Sequence, residues 1–255
     1  MSAPRTPKPT TLEPVELRLY RVALTADQVQ LVTCMRHLSP DEQQRASRFR
    51  TEIEHRRYVI TRARLREVVG QVLDMAPRAV SFVYSASGKP SLDRNIQDSV
   101  HFNCSHAGEL GLIALASEPV GISIAPIQLF DDALALADTA FSTSEQAQLR
   151  RATTSDELSL LYQRGRTHKL AVAKAIDARP AADSFSVALD RRQQHLRLPD
   201  LGNADQPALV SADYEQAQLL TLLHIEPAPN YIGAVAVNAR SVSLRWQSVA
   251  PRAPR

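Results

Sequence analysis

The sequence predicts an α+β protein of two similar, pseudo-symmetric lobes, each a small sheet packed with a long helix, and three observations point to it. Residues 52–75 and 156–176 each carry apolar side chains at helical spacing over a long stretch, runs of short strand-like segments follow both, and the two sets divide near Pro126. The expected lobes are 15–126 and 127–249, flanked by loose tails at 1–14 and 250–255 whose prolines and charges suit neither helix nor sheet.

In chain order, residues 15–23 alternate apolar and polar as a half-buried strand does. Residues 27–37 read as a helix. Ser39-Pro40-Asp41-Glu42 then joins an N-cap serine, a proline at the first helical position and a glutamate three residues after the cap, which opens a second helix reaching about Phe49. The long helix 52–75 ends before Pro77. Strands are expected at 80–84, 101–103, 110–116 and 120–125, punctuated by Gly88, Pro90, Gly108 and Pro119. Helices return at 131–137, 144–151 and 156–176, and strands fill the rest at 184–189, 195–198, 208–211, 219–225, 231–237 and 242–246.

Composition excludes several classes. No apolar stretch reaches the ~20 residues of a membrane span, and the first residues lack a secretory signal, so a cytoplasmic protein without membrane contact is expected. Cys34 and Cys104 stand far apart and encode neither a disulfide framework nor a zinc cluster. The net charge is only +3 and aromatic residues are 5%, with no dense basic run, which argues against a nucleic-acid partner. Residues 1–66 nevertheless hold 13 Lys/Arg against 7 Asp/Glu, a local bias suited to an anion.

Five segments narrow the reading. They are Leu38-Ser39-Pro40-Asp41-Glu42 leading to Arg45, Arg48-Phe49-Arg50 and Arg56-Arg57-Tyr58; Gly88-Lys89-Pro90; Phe102-Asn103-Cys104-Ser105-His106; Val120 to Ala125; and Lys169-Leu170-Ala171-Val172-Ala173-Lys174-Ala175. In this order and spacing the chain resembles the two-lobed, surfactin-type class of 4′-phosphopantetheinyl transferases over roughly residues 38–189. The resemblance implies coenzyme A as ligand and an acyl or peptidyl carrier protein as partner; a monomer is expected. It implies Arg45 and Arg57 at the 3′-phosphate, Lys89, Ser105 and His106 at the nucleotide and pyrophosphate, and Lys169 and Lys174 at the pyrophosphate. Charge-assisted hydrogen bonds from such side chains suit phosphate oxygens.

The same resemblance exposes departures. Where the family has Gly-hydrophobic-Asp-hydrophobic-Glu and Lys-Glu-Ala, this chain has Ser123, Ala125 and Leu170. Magnesium takes hard oxygen ligands, normally one or two carboxylates plus phosphate oxygens, so a magnesium site is not expected here. Arg166 replaces the family's tryptophan, and Gly165 beside it weakens the helix. The expectation is a catalytically impaired or inactive relative acting as an accessory or regulatory binding module. The alternative is an active transferase whose metal is held by Glu118, Asp131 or Asp132, or one served by His168 as base.

Overall fold

Side-chain caps fix where most helices begin in the computed structural model, which describes residues 13–92, 100–178, 181–198 and 218–248. Strand β1 (Val15–Ala23) leads into α1 (Gln28–His37), capped by Asp27. Ser39 caps α2 (Pro40–Ala46) with Glu42 bonding back to the Ser39 amide, and Thr51 caps α3 (Glu52–Val72). Strands β2 (Phe82–Tyr84), β3 (Pro90–Leu92), β4 (His101–Ala107), β5 (Leu110–Ala116) and β6 (Val120–Pro126) follow. Next come α4 (Ala133–Ala140), α5 (Thr143–Leu149) and α6 (Ser155–Ala175), the last two capped by Ser142 and Thr154. The described residues end with β7 (Gln193–Leu198), β8 (Gln218–Ile225), β9 (Tyr231–Val237) and β10 (Val242–Ser248).

Two four-stranded sheets form, in the orders β10-β1-β5-β4 and β6-β9-β8-β7, beside the β2-β3 hairpin. Alternation along the strands divides the core into three clusters. Tyr20, Val22, Ile113 and Leu115 pack on α3 through Val59, Ile60 and Ala63. Leu17, Leu19, Leu112 and Ala114, on the opposite face, meet Ile122, Ile124, Val235 and Val237 of the second sheet. Leu220, Leu222, Ala234 and Ala236 pack on α6 through Ala171 and Val172. The layers therefore run helix, sheet, sheet, helix. Chain order and sheet membership diverge on both sides of Pro126: β6 precedes it yet belongs to the second sheet, and β10 follows it yet pairs in parallel with β1.

The two helical units keep one interval. The caps Ser39 and Ser142, the glutamates Glu42 and Glu145, the caps Thr51 and Thr154, and the left-handed Asp74 and Asp177 are each 103 residues apart. The buried ion pairs obey the same interval: Glu42–Arg66 at 2.6 Å in the first unit and Glu145–Lys169 at 2.9 Å in the second.

One predicted strand is not one. Phe185, Val187 and Leu189 are buried alternately, as periodicity suggested, but Ala182–Ser184 forms a 3-10 turn and the segment joins no sheet. Side chains take the place of a ladder partner. Glu145 accepts from the Val187 amide at 2.8 Å, Gln148 from the Leu189 amide at 2.9 Å, and Gln194 bonds both the amide and the carbonyl of Ala188. Gly165 also proves useful where propensity counted against it, since a Cβ there would stand 2.7 Å from Leu189 and 2.8 Å from Phe141. Pro90–Leu92 pairs with β2 although the sequence suggested only a turn. The strand expected at 208–211 and the terminal tails lie outside the described residues, apart from residues 13–14. No helix among the described residues is long and apolar enough to cross a membrane.

Candidate functional site

The outer strand of each sheet, β4 and β6, meet side by side through side chains. Asn103 Oδ1 accepts from the Ile122 amide at 3.0 Å and Ser105 Oγ from the Ile124 amide at 3.2 Å, so alternate residues of β4 satisfy the open edge of β6. Helix α6 lies directly on β6 because Gly121 has no side chain; a Cβ there would stand 2.1 Å from the Ala171 carbonyl oxygen. Lys174 then reaches from α6 across this seam, donating to the carbonyls of Ile122 at 2.9 Å and Cys104 at 3.5 Å.

Several predicted cations converge here. Burial lowers the pKa of Lys174, opposed by the nearby Cys104 thiol. His106, exposed on β4, has its pKa lowered by partial burial and then by the charges of Lys174 and Arg57, which sets all three within electrostatic reach. Lys89, on the β2-β3 hairpin, donates to the Lys174 carbonyl and to those of Val120 and Ala175 at 3.4 Å, so it caps the α6 C-terminus. Burial lowers its pKa too, with Asp177 acting the other way and Lys174 adding to the lowering. Lys89 and Lys174 border a cavity of about 360 Å³ that Asn103, Cys104, Leu170, Ala173 and Asp177 also line, whereas His106 and Arg57 do not line it.

Two sequence-predicted cations lie elsewhere. Lys169 donates to Glu145 at 2.9 Å and to the carbonyls of Ala182 at 2.7 Å and Phe185 at 3.2 Å, three acceptors for three ammonium hydrogens. It holds α5 and the 185–189 segment to α6. Arg45 is exposed on α2 and lines a larger cavity of about 840 Å³ with Arg48, Arg78, Tyr58, Phe82 and Tyr84. Tyr84 also borders an adjoining cavity that takes in Lys89 and Asp177.

The remaining sequence candidates sort by orientation. His168 cannot serve as a base in the cleft: it is 0% exposed and packs edge-on against His224 at 5.6 Å, on the side of α6 away from Leu170. Burial, then His224 and Arg164, push its pKa to about 3. Ser123 is 4% exposed, Ala125 is half-buried, and Leu170 is 42% exposed on α6. One hydroxyl and two hydrocarbon side chains do not make a donor set for magnesium. Glu118 and Asp131 lie beyond opposite ends of β6, a strand roughly 20 Å long, and cannot share an ion. Among the described residues no three His, Cys, Asp or Glu stand close enough to hold a metal.

Two groups escaped the sequence reading. Asp177 sits at a left-handed φ of 53° just past α6, accepts from Ser87 at 2.5 Å, and among the described residues supplies the one carboxylate lining the Lys89–Lys174 cavity. Its twin position Asp74 gave no hint, because only the tertiary fold brings the hairpin against the helix end. Arg62, mostly buried, faces the rings of Tyr58, Phe82 and Tyr84 at 5.6 to 5.9 Å. Its pKa is raised although burial opposes this, because Cys104, Tyr84, Tyr58 and Glu42 all favour the cation. The Tyr58–Arg62 spacing on α3 was the available signal.

The chain is similar in sequence to several known proteins. A family model described as the N-terminal part of 4′-phosphopantetheinyl transferase matches residues 25–120. The 4′-phosphopantetheinyl transferase HetI of Nostoc sp. is 30% identical over 236 residues, covering 91% of this chain and 92% of the relative. The 4′-phosphopantetheinyl transferase psf-1 of Bacillus pumilus is 35% identical over 104 residues, 41% of this chain and 43% of its own. Sfp of Bacillus subtilis, a 4′-phosphopantetheinyl transferase, is 25% identical over 173 residues, 65% and 73% of the two chains.

Proposed function

The chain belongs to the 4′-phosphopantetheinyl transferase superfamily, and from that premise we propose that it is a catalytically impaired member that binds coenzyme A and a carrier protein as an accessory or regulatory module in the cytoplasm. The observation that carries this reading is the contrast at the β4–β6 seam. Lys174 and Arg57 both act on His106 there, and Lys174 is desolvated with two carbonyl acceptors for three donors among the described residues. An anion would relieve both the like-charge repulsion and the desolvation. The positions that should bring metal ligands to the same place hold Ser123, Ala125 and Leu170.

In this reading Lys174, His106 and Lys89 hold the pyrophosphate, and Ser105 and Arg57 flank it. The nucleotide and its 3′-phosphate lie toward Arg45, where Tyr58 and Tyr84 offer ring faces for a base and Arg48 and Arg78 add charge. Lys169 serves the fold and is left out of the ligand set. The constant interval between caps, ion pairs and left-handed aspartates supports two pseudo-symmetric lobes with the ligand between them.

Intact mass of an apo carrier protein incubated with this protein, coenzyme A and magnesium tests the proposal. The expected result is an unmodified carrier together with measurable coenzyme A binding by calorimetry. A carrier that gains phosphopantetheine overturns the impaired reading in favour of an active transferase. Absence of coenzyme A binding overturns the ligand assignment.

A further inference from the structure

Leu170 and Ala173 line two cavities at once. On one side is the Lys89–Lys174 cavity; on the other is a recess of about 320 Å³ walled by Ala140, Phe141 and Phe185, with Arg166 at its edge. Among the described residues no Asp or Glu lines this recess, and the half-buried Lys169 in its wall is already paired with Glu145. Its size falls at the lower end for small-molecule sites. Residues 166, 170, 173 and 174 lie along one stripe of α6, so a ligand anchored at Lys174 and running along the helix passes over Ala173 and Leu170 into the recess.

We propose that the recess receives the acyl group of a coenzyme A thioester, making a short neutral acyl-coenzyme A the preferred ligand rather than free coenzyme A. This rests on the coenzyme A reading above and extends it to the far end of the molecule. The lengths agree. From Lys174 to Arg166 is eight helical residues, about 12 Å, and the pantetheine arm has the reach of four to five extended residues, roughly 15 Å. The sulfur therefore arrives at the recess and an attached acyl chain continues between Phe141 and Phe185. Leucine at 170 makes this path apolar where a carboxylate would repel a hydrocarbon. Each methylene removed from water there tightens binding about fourfold, whereas a bare thiol leaves the recess unfilled.

Calorimetric titration of the full chain with coenzyme A, acetyl-coenzyme A and hexanoyl-coenzyme A tests this. Hexanoyl-coenzyme A is expected to bind at least tenfold more tightly than coenzyme A, with acetyl-coenzyme A between them. Thr139→Trp and, independently, Ala140→Leu fill the recess from its wall and should remove that advantage while leaving coenzyme A affinity within about twofold. Thermal melts confirm that each variant folds; Thr139 is exposed, which makes its replacement the safer of the two. Equal affinities for the three ligands overturn the acyl site and leave the coenzyme A reading standing. An advantage that survives both filled variants places the acyl group elsewhere and also overturns it. Failure of all three ligands to bind overturns both inferences together.

Discussion

Mild acid should destabilise this protein through two histidines. His168 and His224 are buried between α6 and the second sheet; both ring nitrogens of His168 and Nδ1 of His224 lack a hydrogen-bond partner. Burial, then His224 and Arg164, hold His168 at about 3, and burial, then Arg164, hold His224 at about 4. Both values lie below the ~6.5 of an unfolded histidine. Between pH 6.5 and about 4 the unfolded chain therefore binds more protons than the folded one, and stability falls as pH falls. Each histidine contributes about 1.4 kcal/mol per pH unit in that window. From pH 6.5, where the unfolded histidine is half protonated, to pH 5 the integrated loss is about 1.5 kcal/mol each, or about 3 kcal/mol together, a sizeable part of the 5–15 kcal/mol typical of a folded domain. Most carboxylates titrate below this window. Urea denaturation followed by circular dichroism at pH 7.0, 6.0 and 5.0 measures the effect. Replacing His168 with Leu should remove about half of the slope. A midpoint that stays flat between pH 7 and 5, or a slope identical in wild type and His168→Leu, would refute the reasoning.

Coenzyme A affinity should be the same with magnesium and with EDTA, should weaken as salt rises, and should fall at least tenfold in Lys174→Met and in His106→Glu; titration calorimetry reports all three, and binding only with magnesium contradicts the site as described. Glu145→Ala should cost about 3–5 kcal/mol by chemical denaturation, because it strands the buried Lys169 ammonium and the Val187 amide; a loss under 1 kcal/mol would mean that Lys169 finds other partners. The combined change Ser123→Asp, Ala125→Glu and Leu170→Glu should create magnesium-dependent transfer to an apo carrier protein where the single changes do little, since one carboxylate leaves the metal shell incomplete. Intact mass of the carrier reads this out, and a folded, magnesium-binding triple variant that transfers nothing places the defect beyond the metal ligands.

The sequence by itself determined the features that neighbours along the chain impose. Ser39 with Glu42 announced a helix start, residues 52–75 and 156–176 announced the two long helices, and positions 123, 125 and 170 were seen to carry no carboxylate. These follow from capping geometry, from the 3.6-residue period and from the chemistry of single side chains, all local properties. What only the tertiary structure decided is which side chains face one another. Lys169 and Lys174 looked interchangeable in sequence, yet five residues turn a helix through roughly 140° net, which sends Lys169 to Glu145 and Lys174 to the β4–β6 seam. The segment 185–189 had a strand's periodicity, but its backbone partners are Glu145, Gln148 and Gln194, far from it in pattern and adjacent only after folding. Asp177 entered the cleft only because the β2-β3 hairpin docks on the end of α6 through Ser87 and Lys89. A local pattern specifies the backbone state and the side that is apolar; the partner of each polar group is set by long-range packing, where the burial of an unpaired charge or amide is too costly to leave to chance.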